Sequence, residues 1–519
     1  MNPANPTRSN LAHLLEWNVA RHPDREAVVD LQNGRRLSFA ELGDEVAALA
    51  AALAAEGIGC DDVVAMLGAN RAEYLVALLA ISARGAVAAP LNHRLHPSEI
   101  AYLVANAGAR TLLFDTQFEA VVEEGDLAAQ GIERRIELDG EGPDSVAALI
   151  ARHAGAPLTV ARVAAGDPQR ILHTSGTTSR PKGVTITHGN VQWNFLTQMT
   201  ELSLTREDRL LIATPLFHVA ALDGPGLAVL HVGGALVLPA GNDADSLIAA
   251  IEGEGLTGTI LASPTAAALA EGAAARGARC PTLRFLKLGG LPEASFHALH
   301  EALPHVRLIE GMGMTECTSG ILYVDAAHMV EKRASVGRPV PHVDVRIVDD
   351  AGAEVGVGAL GELVVRGPKV MPGYWRDPEA TAAAIVDGWL HSGDIARRDE
   401  EGYVYLVDRK KDMIKTGGEN VASVEVERVL AQHPAVRDVA VVAAPDERWG
   451  EVPYAAVVAA AEVDAEELRE HCARSLAKFK IPKHVALVDE LPRTQTGKVR
   501  KTEIREWARD SVASGEGSR

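Results

Sequence analysis

Short apolar segments alternate with helical segments over most of the chain, and this rhythm limits the possible folds more than any other feature. Val63 to Leu67 and Thr111 to Phe114 are apolar runs that predict strands, and Ala72 to Arg84 predicts a helix between them. Strand, helix, strand in this order is typical of a largely parallel sheet with helices on its faces. The alternation predicts two α/β subdomains, at about residues 11–168 and 169–335.

The pattern changes near Val336. Val343 to Val348 and Gly361 to Arg366 alternate apolar with polar residues, which indicates half-exposed antiparallel strands and a β-rich part at about residues 336–408. From Arg409 the chain is locally basic and has its own strand and helix pattern. The sequence therefore predicts a large N-terminal domain over residues 1–408 and a small, mobile α+β C-terminal domain over residues 409–519.

Composition excludes several classes of protein. The formal net charge is −19, from 51 Lys and Arg against 70 Asp and Glu, which argues against a general binder of nucleic acid or anionic membranes. The four cysteines form no C-x-x-C pair, so neither a disulfide framework nor a zinc site is expected. The first ten residues lack the apolar core of a signal peptide, and no uncharged apolar run reaches the length of roughly 18 residues that suggests a membrane span. We expect a cytoplasmic enzyme.

A polar loop, Thr174 to Gly183, lies between two predicted strands and has the sequence T-S-G-T-T-S-R-P-K-G. Its hydroxyls and backbone N–H groups can surround phosphate oxygens while Lys182 neutralises their charge. The loop differs from the nucleotide loop G-x-x-x-x-G-K-[ST], because Pro181 precedes the lysine and Gly183 follows it. That difference excludes a P-loop kinase. A plain polar hairpin is the structural alternative, and distant segments must decide between the two.

Four other segments offer the remaining groups of a nucleotide site. Glu310 to Glu316 is a loop after an apolar strand, with glycines that let the backbone approach a flat ligand and with Thr315 and Glu316 as oxygen ligands for Mg²⁺. Gly388 to Asp394 offers a carboxylate that can accept from both ribose hydroxyls. The other two segments are basic: Asp408 to Asn420 and Pro492 to Lys501. Each alone has an ordinary structural explanation, but their order and separations together indicate one site.

With these motifs the chain resembles the AMP-forming adenylating superfamily of acyl-CoA synthetases, adenylation domains and luciferases. The resemblance extends from about Leu11 to Trp507. It is closest to acyl-CoA ligases of the crotonobetaine/carnitine-CoA ligase and 4-coumarate-CoA ligase type, and Ser179, where most members have Gly, is typical of the carnitine-CoA ligase type. The resemblance implies ATP, Mg²⁺ and CoA as cofactor and co-substrates.

The resemblance also implies roles for residues in the first half-reaction. Glu316 would hold Mg²⁺, Thr315 would lie near the α-phosphate, and Lys498 would bridge the acid and the α-phosphate. Met312 stands where members have an aromatic residue, which indicates altered adenine stacking, and Leu291 stands where they have a small one. The implied ATP-binding residues are Thr174, Ser175, Gly176, Thr177, Thr178, Lys182, Gly289, Gly290, Leu291, Gly311, Met312, Gly313, Met314, Asp394 and Arg409.

Other implied roles concern transfer to CoA. Lys411 occupies the hinge about which the small domain swings, and Lys415 acts in the second half-reaction. Rotation of the small domain would let one site serve both steps, exchanging Lys498 for the face of Gly417 and Gly418. The residues implied in the pantetheine tunnel or in contact with CoA are Gly417, Gly418, Trp449 and Phe479.

The acyl pocket is less well defined. His218 lies where CoA ligases have a histidine that gates this pocket, although a satisfied core histidine is the structural alternative. Adenylators of α-amino acids have Asp at that position, so His218 argues against an amino acid. Asp223 and Cys317 are either polar contacts to the substrate or packing residues. Small side chains suggest room for an aryl or medium-sized acyl group at the candidate walls Ala220, Ala221, Ala262, Ser263, Gly289 and Met314.

The predicted function is that of an ATP-dependent acid–CoA ligase that forms AMP. One alternative is adenylation with a different acceptor: the phosphopantetheine of a carrier protein, or an amine coupled to an unusual acid such as nitrite. A third hypothesis is a binding protein without catalysis. The presence of Lys182, Glu316 and Lys498 argues against it. The expected partner is a small carboxylic acid, with no nucleic acid and no membrane span, and a homodimer is common in the superfamily.

Overall fold

The computed structural model describes residues 8–174, 181–416, 419–493 and 498–514. Its strands are β1 (Glu26–Asp30), β2 (Arg35–Ser38), β3 (Val63–Leu67), β4 (Val87–Pro90), β5 (Thr111–Phe114), β6 (Arg134–Glu137), β7 (Pro168–Thr174), β8 (Lys182–Thr187), β9 (Arg209–Leu211), β10 (Ala235–Leu238), β11 (Gly258–Ala262), β12 (Phe285–Gly289), β13 (Arg307–Met314), β14 (Ser319–Tyr323), β15 (Arg338–Pro339), β16 (Asp344–Val348), β17 (Gly361–Arg366), β18 (Ile385–Val386), β19 (Trp389–Arg398), β20 (Val404–Arg409), β21 (Ile414–Thr416), β22 (Glu419–Val421), β23 (Val436–Asp446), β24 (Gly450–Ala459) and β25 (His484–Leu487).

The α-helices are α1 (His13–Arg21), α2 (Phe39–Ala55), α3 (Ala72–Ala83), α4 (Pro97–Ala107), α5 (Glu119–Glu124), α6 (Val146–Arg152), α7 (His188–Leu202), α8 (Val219–Ala221), α9 (Leu227–Val232), α10 (Ala244–Gly253), α11 (Ser263–Arg276), α12 (Glu293–Ala302), α13 (Pro378–Ala384), α14 (Ser423–Leu430), α15 (Ala465–Ala473) and α16 (Lys501–Ser514). A π-helical turn spans Leu222–Gly226. Within the described residues, no helix is long and apolar enough to cross a membrane.

The chain divides into two compact units. The first unit comprises Met1–Val345 and Val365–Leu390, and the second comprises Arg346–Val364 and His391–Arg519. The second unit thus includes part of the β-rich stretch that the sequence analysis assigned to the large domain. A five-stranded sheet of order β16-β17-β19-β18, in which β20 also pairs with β19, accounts for that stretch.

The first unit contains two mixed sheets, as the α/β prediction requires. The six-stranded sheet has the order β6-β5-β3-β4-β7-β8, and the nine-stranded sheet has the order β15-β14-β13-β12-β11-β9-β10-β1-β2. Central neighbours such as β3 and β5, or β11 and β12, are parallel, whereas edge pairs such as β7 and β8 are antiparallel. Each sheet combines strands from distant parts of the chain. Strand β1 pairs with β10, and β7 pairs with β4.

Local chemistry explains why these elements form where they do. All residues of β3, β4 and β5 are buried, as expected for strands covered by helices on both faces. A capping box begins α2, since Ser38 Oγ accepts from the Glu41 N–H and Glu41 Oε2 accepts from the Ser38 N–H.

The second unit has an α+β core around a sheet of order β22-β21-β24-β23, with β25 parallel to β24. Alternate residues of β23 and β24 point to opposite faces. Val441 and Val457 pack with α14 and α15, whereas Val442 and Ala456 pack with α16. The predicted combination of a larger α/β part with a small α+β part is confirmed.

Candidate active site

The β7–β8 hairpin of the first unit positions the candidate phosphate loop. Thr174 pairs with Lys182 in register, so these two residues close the base of the loop. Residues Ser175, Gly176, Thr177 and Thr178 of the predicted site lie outside the described residues. Gly183 permits close packing, because a Cβ there would lie 2.8 Å from Ile171 Cγ2 and 3.3 Å from Trp375 Cβ. The Trp375 N–H donates to the Gly183 carbonyl at 2.6 Å, which ties the hairpin to the segment around residue 374.

Tyr374 contacts both Lys182 and Glu316, two residues of the predicted ATP site. Its hydroxyl donates to Glu316 Oε1 at 3.2 Å, and the Lys182 ammonium lies 5.0 Å from the centroid of its ring. Burial and then the Glu316 carboxylate raise the pKa of Tyr374 well above its usual range, so the hydroxyl stays a donor. The structure therefore holds one cation and one carboxylate on a single aromatic side chain.

The sequence analysis did not identify Tyr374. It lies 58 residues beyond Glu316 and 192 beyond Lys182, in a Gly-Tyr-Trp turn without any charged group of its own. Its backbone forms an isolated bridge with Val184, next to the phosphate hairpin. Only the packed structure connects this tyrosine with both charged residues.

Glu316 is the residue that would hold Mg²⁺. It stands in a short 3₁₀ turn, Thr315–Cys317, that follows β13, and its carbonyl accepts from the Met371 N–H at 2.8 Å. Among the described residues no group of three or more His, Cys, Asp or Glu could hold a metal ion. One carboxylate suits Mg²⁺, which usually binds proteins through one or two carboxylates and completes its shell with phosphates and water. The residues present thus fit a Mg²⁺ ion that arrives with ATP.

The segment from Glu310 to Glu316 is a strand and a turn, not the predicted loop. β13 runs parallel to β12 up to Glu310 and then continues antiparallel to β14 as far as Met314. The glycines make this possible, because a Cβ at Gly311 would lie 2.2 Å from the Leu322 carbonyl oxygen and one at Gly313 would lie 2.8 Å from the Ser319 backbone. Met312 and Met314 remain partly exposed on the hairpin.

The end of β12 exposes backbone at the predicted adenine segment. Gly289 and Gly290 are exposed, and Gly290 has φ +75°, a left-handed conformation that favours glycine. Ser263 Oγ donates to the Gly289 carbonyl at 2.8 Å and so supports this edge. The Leu291 side chain is buried, and its N–H donates to Glu310 Oε1 at 3.0 Å. What Gly289 to Leu291 presents to solvent is therefore mainly backbone.

His218 lies exposed at the start of the short helix α8. Its Nδ1 accepts from the Ala220 N–H at 3.1 Å, which in the neutral ring leaves the proton on Nε2. Asn70 supports the preceding segment, since its side chain donates to the Thr214 carbonyl and accepts from the Leu216 N–H. The structure thus presents His218 at the surface and not in the core.

Two residues with open roles lie inside the first unit. Asp223 is 2% exposed, and its Oδ1 lies 2.5 Å from Nη2 of the fully buried Arg170. Cys317 is also fully buried, and burial raises the pKa of its thiol well above its usual range. Both side chains pack within the protein in this structure.

In the second unit, Asp394 and Arg409 form a cross-strand pair. They are opposite each other in the β19–β20 register, and Asp394 Oδ1 lies 2.8 Å from Arg409 Nε. Arg409 Nη1 also donates to the Ser392 carbonyl at 3.2 Å. Asp394 is 7% exposed whereas the Arg409 side chain is half exposed. The two predicted ribose-binding residues are thus brought together.

The three lysines of the second unit that were predicted to act in the site are exposed, unlike Asp394. Lys415 lies exposed on β21, where its N–H donates to Glu451 Oε2 at 2.8 Å. Lys411 lies next to the end of β20 with its side chain largely exposed, and desolvation of its ammonium by neighbouring atoms lowers the pKa of that group. Lys498 is exposed beside Val499, which forms a bridge with Arg493. Gly417 and Gly418 lie outside the described residues.

Two exposed aromatic side chains mark the predicted CoA surface of the second unit. Trp449 is 45% exposed and Phe479 is 40% exposed. The Arg448 guanidinium lies 4.6 Å from the Trp449 ring centroid, and the Lys480 ammonium lies 5.9 Å from that of Phe479. Exposed rings beside cations are suited to stack on a base and to attract phosphate groups.

A family model described as AMP-binding enzyme matches residues 15–375, and one described as AMP-binding enzyme C-terminal domain matches residues 425–498. The chain belongs to this AMP-binding enzyme family, and the predicted superfamily is confirmed.

Particular relatives resemble the chain over nearly its whole length. Feruloyl-CoA synthase from Amycolatopsis sp. is 40% identical over 499 residues, which are 95% of this chain and 98% of the relative. The structure of O-succinylbenzoate coenzyme A synthetase from Bacillus subtilis in complex with ATP and magnesium ion has a TM-score of 0.84 and 31% identity, covering 95% of this chain and 98% of that one. The amide bond synthetase McbA from Marinactinospora thermotolerans has a TM-score of 0.85 and 31% identity, covering 96% and 99%.

Proposed function

We propose that the chain is an ATP-dependent, AMP-forming acid–CoA ligase. In the first half-reaction a carboxylate oxygen attacks the α-phosphorus of ATP, and pyrophosphate leaves. In the second, the CoA thiol attacks the acyl carbon of the adenylate and gives up its proton, and AMP leaves. The observation that carries the proposal is the arrangement of Lys182 and Glu316 on Tyr374.

This arrangement suits the triphosphate end of ATP. Lys182 provides positive charge at the base of the polar loop, where Thr174 pairs with it. Glu316 is the residue that would hold Mg²⁺, which when bound would offset the charge of the phosphate oxygens. Because adenylation brings a carboxylate to a phosphate, positioning and positive charge are the main requirements. We assign Thr315 to the α-phosphate and Lys498 to the attacking carboxylate.

The nucleoside end of ATP has its own candidate groups. The exposed backbone of Gly289 and Gly290 supports an adenine contact, with Met312 in place of an aromatic ring. The pair formed by Asp394 and Arg409 supports recognition of ribose hydroxyls, since a carboxylate accepts hydrogen bonds from hydroxyl groups.

CoA is the acceptor that we favour. Trp449 and Phe479 support this acceptor, because both rings are exposed beside cations. Lys415 and the turn at Gly417 and Gly418 are assigned to the thiol step, and His218 to the gate of the acyl pocket. We also propose that residues 1–408 and 409–519 act as separate domains with the hinge at Lys411.

Incubation with ATP, Mg²⁺, CoA and a panel of small carboxylic acids tests the proposal. The expected products are AMP, pyrophosphate and an acyl-CoA thioester identified by mass spectrometry. The small side chains at the candidate pocket walls favour aryl or medium-sized acids. Absence of ATP–pyrophosphate exchange with every acid would contradict adenylation itself.

A second candidate function is adenylation with another acceptor. The similarity to an amide bond synthetase favours an amine, and a carrier-protein phosphopantetheine is the other possibility. Parallel reactions with CoA, an arylamine, or a phosphopantetheinylated carrier protein separate these outcomes. Thioester formed only on the carrier, or amide formed only with the amine, would replace CoA as acceptor. Light scattering of the same sample tests the homodimer that the family resemblance suggests.

A further inference from the structure

Near the middle of the nine-stranded sheet in the first unit, one face is partly open to solvent, and we call this opening the Ile260 groove. Ile260 lies in the central strand β11, yet its side chain is partly exposed, whereas Thr259 and Leu261 on the opposite face are buried. One register pair further along, Ala262 and Gly289 are exposed on the same face as Ile260. The π-helical turn borders this groove, because a Cβ at Gly224 would lie 3.4 Å from Ile260 Cδ1.

Lys287 lies at the deep end of this face. It pairs in register with Ile260 on one side and with Ile309 on the other, so its side chain leaves β12 on the face of the groove. It precedes Gly289 by two residues, which places its Cα roughly 7 Å deeper along the strand. Lys287 is 5% exposed.

The Lys287 ammonium has polar neighbours, but they do not accept from all of its N–H donors. Its Nζ lies 3.2 Å from Gln198 Oε1 on α7 and 2.5 Å from the Tyr323 hydroxyl on β14. The Gln198 amide in turn donates to the Tyr323 hydroxyl at 3.1 Å. An ammonium has three N–H donors, so one donor of Lys287 has no acceptor within the part of the chain that the structure describes.

The Glu201 carboxylate only partly offsets the effect of burial on this ammonium. Among the described residues Lys287 forms no ion pair, whereas the buried cation Arg170 has Asp223 as its partner. Burial lowers the pKa of Lys287 to about 7, which expresses the free-energy cost of the desolvated ammonium. An oxygen atom of a ligand that accepted the third hydrogen bond would recover part of that cost.

We infer that Lys287, with Tyr323 and Gln198, recognises an oxygen acceptor at the far end of the acyl group. The chain then activates acids whose tail carries a hydroxyl, a carbonyl or a second carboxylate in preference to acids with an all-apolar tail. This inference rests on the proposed acid–CoA ligase function. Its physical basis is that a site built to hydrogen-bond a substrate oxygen rejects the analogue that leaves its donor unpaired.

Three matched pairs of acids test the inference through ATP–pyrophosphate exchange: benzoate and 4-hydroxybenzoate, 3-phenylpropanoate and 3-(4-hydroxyphenyl)propanoate, heptanoate and heptanedioate. We expect kcat/KM to favour the oxygenated member of at least one pair by about tenfold or more, as a hydrogen bond to a charged group implies. The aryl pairs test a hydroxyl and the last pair tests a second carboxylate.

Variants then assign the preference to Lys287. Lys287→Met removes the charge at similar volume, and replacing a buried charge in this way is compatible with folding. It should bring the discriminated pair to within about threefold of equality while the all-apolar acid keeps its kcat/KM, because only the oxygen contact is lost. Tyr323→Phe, which keeps the ring, should reduce the preference partly and is the second test if Lys287→Met does not fold.

Lys369→Met is the matched control. Lys369 is fully buried, and its Nζ donates to Asn194 Oδ1 at 2.8 Å and to the Gly320 carbonyl at 2.7 Å. Asn194 Oδ1 also accepts from the Gln198 amide at 3.3 Å, so this variant tests loss of a buried ammonium next to the same network. It should change the ratio within each pair much less than Lys287→Met does.

Two outcomes would overturn the inference while the proposed function stands: a wild-type enzyme that adenylates both members of every pair equally, or a folded Lys287→Met variant that loses both members equally. Absence of exchange with all six acids and with the wider panel would instead remove the proposed function, and the inference with it.

Discussion

The two units hold their predicted functional side chains in different ways. In the first unit Lys182 and Glu316 both contact Tyr374. Lys182 lies in strand β8, and Glu316 lies in the short turn between β13 and β14. Among the described residues of the second unit, Asp394 and Arg409 form such a pair, whereas Lys415, Trp449 and Phe479 are exposed. Four charged groups assigned to ATP are thus preorganised: Lys182, Glu316, Asp394 and Arg409. The groups assigned to CoA transfer, and Lys498 with them, are open to solvent. Preorganised charge is what a phosphoryl-group reaction needs from a protein, and an exposed surface is what a large incoming co-substrate needs.

The largest effect should come from Lys498→Ala. Loss of a positive charge at the attacking carboxylate should lower adenylation by about 10²- to 10³-fold, the magnitude typical of a lost electrostatic stabiliser. ATP–pyrophosphate exchange measures this step, and thioester formation from a chemically prepared adenylate measures the other. The second rate should remain near that of wild type. Equal loss of both rates would show that Lys498 does not act in one step only. Arg500→Ala, which removes a neighbouring charge, is the control.

Tyr374→Phe should have an intermediate effect. It removes the hydroxyl that donates to Glu316 but keeps the ring beside Lys182, so the loss should be about tenfold in exchange rate, as for one hydrogen bond to a charged group. The concentration of Mg²⁺ needed for half-maximal rate should rise, because the Glu316 carboxylate is less fixed. A changed rate without a changed Mg²⁺ requirement would argue against the role of Tyr374 in positioning Glu316. Tyr405→Phe, which loses a hydrogen bond to Asp399, is the matched control.

Trp449→Ala should affect only the CoA step. Loss of base stacking costs about 1 kcal/mol or more, which corresponds to a rise in the KM for CoA of roughly fivefold or more. ATP–pyrophosphate exchange without CoA should be unchanged. Trp193→Ala removes another exposed tryptophan, on α7 of the first unit, and should leave the KM for CoA unaltered. A change in exchange rate in Trp449→Ala would remove the contrast between the two units.

The smallest effect concerns acid stability of the first unit. Burial lowers the pKa of His188 to about 4, so the unfolded chain binds a proton there between pH 6.5 and 4 that the folded chain does not. Stability is therefore present above pH 6.5 and is lost as the pH falls. Replacement by His188→Asn should reduce the difference in unfolding free energy between pH 7 and pH 5.5 by about 1 kcal/mol. Asn keeps an acceptor for the Leu11 N–H, which donates to His188 Nδ1. Urea unfolding at the two pH values is the measurement, and an unchanged difference would contradict the assignment.

Local patterns predicted much of the fold. Val63–Leu67 and Thr111–Phe114 are strands with the predicted bounds, and the capping box at Ser38 is present, because propensity and capping depend on near neighbours. The apolar run Ala27 to Leu31 likewise predicts a strand, and β1 spans Glu26–Asp30. Its pairing with β10 was not predicted, because a pairing across some 200 residues leaves no local trace.

Part of the candidate site could also be predicted from the sequence. Lys182, Glu316, Asp394 and Arg409 stand out in the sequence through motif and family resemblance. Tyr374 and Lys287 do not, because one is an aromatic residue in a turn and the other a lysine inside an apolar strand. A lysine in such a strand usually suggests an exposed face, and only the positions of Gln198 and Tyr323 show how it is accommodated.

By itself the sequence determined the class of fold, the ATP-related motifs and the membership of the adenylating superfamily, because these depend on short runs of residues and their order. Only the tertiary structure decided which residues meet. It paired Asp394 with Arg409, brought Tyr374 between Lys182 and Glu316, and buried Lys287 beside the groove at Ile260. The physical reason is that hydrogen bonds and desolvation act over a few ångströms in space, whereas these partners are separated by 15 to 192 positions along the chain.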